Sequence, residues 1–185
     1  QGAHATNVLK TLPMRQTMLE RLTELDQGAP YSTYGVRQLA NGGLFYLRRN
    51  AGESLAKLYH LPAAASAAAL LVDPDTLVNG DESHVSLEGY MPSWDGQFLV
   101  YGVAQGGSEE TTYRVMDLIK GTTLPDTLTH IETAYNRPQW SLDGKGFYYS
   151  RRRELPSDAP DTEIYKRTEV RYHLVGSDPR TDVVV

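Results

Sequence analysis

A repeat restricts the fold more than any other feature. Ser93-Trp94-Asp95-Gly96, followed by an apolar run ending at Tyr101, returns 48 residues later as Ser141-Leu142-Asp143-Gly144 with a run ending at Tyr149. A weaker copy, Asn41-Gly42-Gly43 before Leu44-Phe45-Tyr46, lies upstream. A second strand-like run follows each of the three, centred near Tyr59, Val115 and Tyr172, and a third follows at residues 69–72, 122–124 and 182–185. Asp-Gly suits a tight turn because the carboxylate accepts backbone N–H bonds while glycine takes positive φ. A four-stranded unit recurring every ~40–50 residues is the pattern of propeller blades. Three unrelated hairpins sharing Asp-Gly turns are the competing reading. The ordered recurrence of turn, strand and next strand favours the repeat.

The strand signals are Leu44-Phe45-Tyr46-Leu47, Lys57-Leu58-Tyr59-His60-Leu61, Phe98-Leu99-Val100-Tyr101, Tyr113-Arg114-Val115-Met116-Asp117-Leu118, Gly146-Phe147-Tyr148-Tyr149-Ser150 and Val170-Arg171-Tyr172-His173-Leu174. Turn formers separate them. Ahead of them, Val8, Leu12, Leu19, Leu22 and Leu25, with Met14 and Met18, keep helical spacing, and Gly28 and Pro30 stop the pattern. The expected architecture is therefore all-β: a partial β-propeller of about three four-stranded blades at residues 31–185, preceded by one N-terminal helix within residues 1–30.

The formal net charge of -5 argues against a phosphate-binding surface, and hence against nucleic acid as a partner. The one basic run, Arg151-Arg152-Arg153, is followed by Glu154, Asp158, Asp161 and Glu163 and reads as a solvated loop. With no cysteine, disulfides and thiolate metal sites are excluded. The longest apolar stretch, residues 63–72, is interrupted by Ser66 and is about half the length a bilayer span needs, so no membrane association is expected.

Catalytic motifs are weak. Gly52-Glu53-Ser54-Leu55-Ala56 is the nearest approach to a hydrolase elbow, but the elbow needs a strand-to-helix turn, and this segment connects two expected strands. Gly106-Gly107-Ser108 has the same difficulty. Asp73-Pro74-Asp75 with Asn79-Gly80-Asp81 lacks calcium-loop ligands at the fifth and twelfth positions and reads as a surface turn. The five histidines never fall within five residues of one another, so no local metal-ligand pair exists. His60 and His173 occupy similar places in the repeat and are expected to share a structural environment. No catalytic residue, metal or cofactor is expected.

The ordered series of segments resembles the propeller of the prolyl oligopeptidase family. It runs through residues 71–77 (Leu-Val-Asp-Pro-Asp-Thr-Leu), Val85-Ser86-Leu87-Glu88-Gly89-Tyr90, Ser93-Trp94-Asp95-Gly96-Gln97-Phe98 and Gly106-Gly107-Ser108. It continues through Leu124-Pro125-Asp126-Thr127-Leu128, Trp140, Asp143-Gly144-Lys145-Gly146-Phe147-Tyr148-Tyr149-Ser150-Arg151 and Tyr172-His173-Leu174-Val175-Gly176. The resemblance implies a parent serine peptidase in which a seven-bladed propeller gates an α/β-hydrolase domain carrying a Ser-Asp-His triad. Short peptides are then cut, usually after proline. The chain departs from the family in having Gly52-Glu53-Ser54-Leu55-Ala56 where a Leu-Gln-Asn-Gln-type loop is common. Its segment 131–138 is also about two residues longer than in typical members. The family offers a substrate-lining aromatic from that segment, and Tyr135 is the nearest aromatic here.

The resemblance thus implies short peptides and a C-terminal hydrolase domain as partners, and a fragment that is inactive alone. Two alternatives stay open: a freestanding binding propeller, and the gating domain of an oligopeptidase that cuts after Arg or Lys. Three blades of about seven cannot close a ring, so self-association of the fragment is expected. A cytoplasmic location is expected, with periplasmic or secreted left open because the chain starts at Gln1 rather than Met.

Overall fold

The computed structural model describes residues 2–78, 84–108, 110–131, 137–156, 158–160, 162–163, 166 and 168–185. The N-terminal segment corrects the expectation of one helix: α1 (Gly2–Lys10) and α2 (Arg15–Gln27) are separate. Pro13 lies in the break, where its missing N–H and its ring would disrupt a continuous helix. Gly28 ends α2 as expected, its N–H donating to the Leu25 carbonyl. The apolar side chains of both helices are exposed, and an Asp26–Arg49 ion pair at 2.5 Å ties α2 to the first blade. Among the described residues, no helix is long and apolar enough to cross a membrane.

The strands form three antiparallel blades. The first is β1 (Tyr31–Gln38), β2 (Leu44–Asn50), β3 (Lys57–Leu61) and β4 (Ala69–Val72), in that spatial order. The second is β5 (Val85–Pro92), β6 (Phe98–Gln105), β7 (Thr111–Asp117) and β8 (Thr122–Ile131). The third is β9 (Gln139–Trp140), β10 (Gly146–Arg151), β11 (Glu169–Leu174) and β12 (Val183–Val184). Among the described residues, a bridge from Ile131 to Arg151 and the Arg152 N–H bond to the His130 carbonyl join the second blade to the third.

The opening strand of each blade is the inner one. The Tyr90 hydroxyl on β5 donates to the Gly35 carbonyl on β1, and Trp140 Nε1 on β9 donates to the Met91 carbonyl on β5 at 3.0 Å. First strands of successive blades therefore lie side by side, as radial packing about one axis requires.

The repeated turn has one physical design. Ser93 Oγ donates to Asp95 Oδ1 at 2.6 Å, that carboxylate accepts the Gln97 N–H, and Gly96 takes φ +72°. Ser141, Asp143, Lys145 and Gly144 (φ +67°) repeat this arrangement, with the Ser141–Asp143 bond again 2.6 Å.

Core packing explains the strand sequences. The middle blade is covered on both faces, so β6 is a nearly unbroken buried run. Alternate residues serve opposite neighbours: Leu99, Tyr101 and Val103 join Phe45, Leu47 and Leu58 of the first blade, while Val100 joins Trp140, Phe147 and Tyr149 of the third. Strand β2, covered on one face, alternates instead.

The two histidines expected to share an environment do not. The backbone bond across the first inner turn spans Leu39 to Gly43, whereas the later turns span Ser93 to Phe98 and Ser141 to Gly146. The first turn is one residue shorter, and a one-residue slip reverses which face a side chain occupies. His60 consequently stacks on Phe45 toward the second blade, with ring centroids 4.2 Å apart, and burial holds its pKa below the ordinary imidazole value. His173 points the other way along the ring, back toward the second blade.

Candidate functional site

The shared backbone bond places Leu39, Ser93 and Ser141 at one position of the repeat. Two residues upstream on the inner strands, and hence on the same strand face, stand Arg37, Met91 and Gln139. These three, with Leu39, Trp94 and Arg137, line a cavity of about 500 Å³ that all three blades share. Its lining, among the described residues, holds two guanidinium groups, amides and apolar surface, and no carboxylate. Burial pushes the Tyr90 phenol up to about 12, opposed by the Arg37 and Arg137 charges, so both cations act on the inner-strand junction where Tyr90 bonds Gly35. Trp94 is 59% exposed at the cavity, whereas Trp140 is 5% exposed.

A second constellation holds the outer part of the junction between the second and third blades. His173 is fully buried, with Nε2 at 3.0 Å from Asp126 Oδ2 and Nδ1 at 2.8 Å from Asp182 Oδ1. Asp126 Oδ2 also accepts the Gly176 N–H at 2.6 Å, and Asp182 Oδ2 accepts the Tyr149 hydroxyl at 2.6 Å. Burial opposes charging of His173, but the hydrogen bonds and charges of Asp126 and Asp182 outweigh it and hold its pKa above the ordinary value. Burial likewise opposes ionisation of Asp126, yet the His173 and Gly176 bonds leave its pKa below the usual carboxylate value. With a carboxylate oxygen facing each ring nitrogen, the geometry favours an imidazolium that donates from both. Its bonds tie the second blade to the third.

The sequence-derived candidates fall as follows. Gly52-Glu53-Ser54-Leu55-Ala56 is the β2–β3 hairpin loop, where the Glu53 carboxylate accepts from the Asn50 backbone and side chain. Gly106-Gly107-Ser108 is the β6–β7 turn. Asp73 caps the 3-10 turn Pro74–Thr76 and pairs with Lys57 at 2.8 Å. Residues 79–81 of the rejected calcium loop lie outside the described residues. Tyr135 does too; Arg137, two residues on, is described and lines the cavity. Sequence reading missed Arg37, Met91 and Gln139. Counting back from the shared turn would have found them, had the shorter first turn been recognised.

Radially packed, four-stranded antiparallel blades about a shared inner channel define a β-propeller. The whole chain, residues 1–185, matches the family model for the prolyl oligopeptidase N-terminal β-propeller domain. The protein therefore belongs to the prolyl oligopeptidase family of serine peptidases. Dipeptidyl aminopeptidase BI of Pseudoxanthomonas mexicana is 30% identical over 63% of this chain and 14% of its own length. Prolyl oligopeptidase ophP of Omphalotus olearius is 24% identical over 100% of this chain and 27% of its own. Among solved structures, one from an analysis of two prolyl endopeptidases, concerned with inter-domain dynamics in catalysis and specificity, superposes with TM-score 0.85 at 29% identity. It covers 100% of this chain and 26% of that one. Prolyl oligopeptidase B of Galerina marginata, bound to a 35mer hydrolysis and macrocyclization substrate, superposes with TM-score 0.79 at 19% identity over 100% of this chain and 28% of that one. The chain thus spans about a quarter of the length of these solved structures.

Proposed function

We propose that this chain is the substrate-gating propeller of a serine oligopeptidase that hydrolyses short peptides after proline. Family membership over the full chain, with an inner-strand cavity shared by three blades, supports the reading. Hydrolysis belongs to an α/β-hydrolase domain outside these residues, and residues 1–30 form a helical segment distinct from the propeller at 31–185. The chain alone does not turn over peptides. Turnover of a proline-containing fluorogenic peptide by the purified chain, abolished by a serine-directed inhibitor, would overturn that. In the intact enzyme, proline peptides should be cut in preference to Arg or Lys peptides; the reverse preference rejects the proline assignment.

Tyr135 contacts the bound peptide in the intact enzyme, and Tyr135→Ala raises KM there. Unchanged kinetics across several proline peptides would remove it from the site. The outward faces of the first and third blades carry the Tyr46–Tyr59 and Tyr148–Tyr172 pairs, with Val170 and Leu174 exposed beside the latter. These faces pair copies of the chain, so its mass by light scattering rises with concentration, and a constant monomer mass rejects this. The enzyme is cytoplasmic, which fractionation of the source cells tests.

A further inference from the structure

The inner-strand cavity carries an electrostatic character opposite to that of the chain. The protein has a net charge of -5, yet this pocket is lined by Arg37 and Arg137 with no acidic side chain among the described residues of its walls. Among the described residues, neither guanidinium has a carboxylate partner. Several other arginines are paired: Arg21 with Glu24, Arg49 with Asp26, Arg151 with Glu154, Arg171 with Glu169 and Arg180 with Asp178. Two unpaired cations facing one concave space repel each other, and an anion entering between them relieves that repulsion. Guanidinium is suited to a carboxylate, which it can meet with two parallel N–H bonds.

The remaining wall narrows the ligand class. Gln139 and Gln38 offer amides that can bond a peptide backbone. Leu39, Met91 and the exposed indole of Trp94 offer apolar contact for a side chain. A volume of about 500 Å³ fits two or three residues of peptide, and is larger than a small inorganic anion needs. The two arginines also come from different blades, Arg37 on the first and Arg137 at the start of the third, so the site exists only when the three inner strands are assembled.

We propose that Arg37 and Arg137 form a carboxylate-binding site on the inner face of the propeller, which holds the free C-terminal carboxylate of a short peptide. The site deepens the gating reading by naming the group the propeller grips. Its test is direct binding to this chain, which needs no peptidase activity and can fail or succeed apart from cleavage preference.

Trp94 is the reporter, since Trp140 is buried. The tripeptide Ala-Pro-Leu is titrated into the chain as the free acid and as the C-terminal amide, and Ala-Pro-Glu is titrated as the C-terminal amide. The free acid should change the indole emission saturably, and the Ala-Pro-Leu amide should bind at least about tenfold more weakly, the scale of losing one charge-assisted hydrogen-bonded contact. Arg37→Gln and Arg137→Gln should each weaken the free acid by a similar factor, without moving the chain's unfolding midpoint. Millimolar acetate should compete. Trp94→Phe should abolish the signal, and calorimetry on that variant should still detect binding. If the Ala-Pro-Glu amide binds as well as the free acid, the carboxylate site stands and its restriction to the C-terminus falls. Equal binding of the Ala-Pro-Leu acid and amide, or unaltered affinity in both Gln variants, overturns the proposal.

Discussion

Removing charge from Asp126 tests whether the buried imidazolium clamp holds the second and third blades together. The Asp126 Oδ2 atom serves His173 Nε2 at 3.0 Å and the Gly176 N–H at 2.6 Å. Asp126→Asn can keep one oxygen accepting both bonds, so the change replaces charge-assisted bonds with neutral ones. Such bonds differ by about 1–2 kcal/mol, which for a chain of this size is a fall in Tm of about 2–8 °C. Asp126→Ala removes the acceptor altogether and leaves the fully buried His173 with one carboxylate. Breaking a buried pair from one side costs about 3–5 kcal/mol, or about 6–20 °C. Urea melts of the three proteins, followed by far-ultraviolet dichroism, give the ranking.

The pH dependence supplies an independent sign. His173 has its folded pKa raised above 6.5, so its stabilisation is fully present below pH 6.5 and is lost as pH rises through the higher folded value. Asp126 has its folded pKa lowered below 3.8, so its contribution is present above pH 3.8 and lost as pH falls through the lower value. Stability from this pair should be flat between those limits. Without the Asp126 charge the folded pKa of His173 falls, so the alkaline loss in Asp126→Asn should begin at lower pH than in the unsubstituted chain. Both variants lying within about 0.5 kcal/mol of the parent, with an unmoved pH profile, would refute the clamp.

Three further outcomes follow from the packing. Gly146→Ala would set a Cβ 2.2 Å from the His173 carbonyl oxygen and 2.6 Å from the Tyr172 ring, and should cost more than about 3 kcal/mol, while Gly2→Ala, with nothing within 4 Å, should leave the melt unchanged. Trp140→Phe keeps an aromatic ring beside Phe147 but loses the bond to the Met91 carbonyl, and should lower stability by about 1 kcal/mol in urea melts. Asp95→Ala removes the acceptor for Ser93 Oγ and the Gln97 N–H and should cost about 1 kcal/mol, with Asp95→Asn recovering part of it.

The repeat made the blade plan legible because turn chemistry is local. An Asp-Gly step states its own geometry within four residues, and β3 and β4 have the boundaries expected of them. The inner strands were harder. Strand β9 has only two residues, and β1 reads Tyr-Ser-Thr-Tyr-Gly-Val-Arg-Gln, without an apolar alternation, because both of its faces are largely exposed. Pro13 was in plain view, yet the hydrophobic spacing across it suggested one helix. That spacing reflects no buried face, since the apolar residues of both helices are exposed. The clamp was beyond local reasoning. Asp126 and His173 lie 47 residues apart and meet only through blade packing. The two arginines of the cavity become a pair only across three blades.

The two inter-blade junctions differ in chemistry, and this bears on how the cavity is assembled. The first and second blades meet through an apolar cluster of Phe45, Leu47, Leu58 and Val72 against Val85, Tyr90, Leu99 and Tyr101, with the Tyr90–Gly35 bond at the inner edge. Apolar contact has little directional preference, so this junction depends on covered area and close packing more than on individual bond angles. The second and third blades add the imidazolium clamp, the Trp140–Met91 bond and the Ile131–Arg151 bridge to their apolar cluster. Each of these has a required geometry and weakens steeply with misalignment. Arg137 and Gln139 meet Met91 and Trp94 across this junction. Arg37 belongs to the first blade, on the chiefly apolar junction. Arg37 and Arg137 are thus brought to one cavity through both junctions in series, one chiefly apolar and one with added directional bonds.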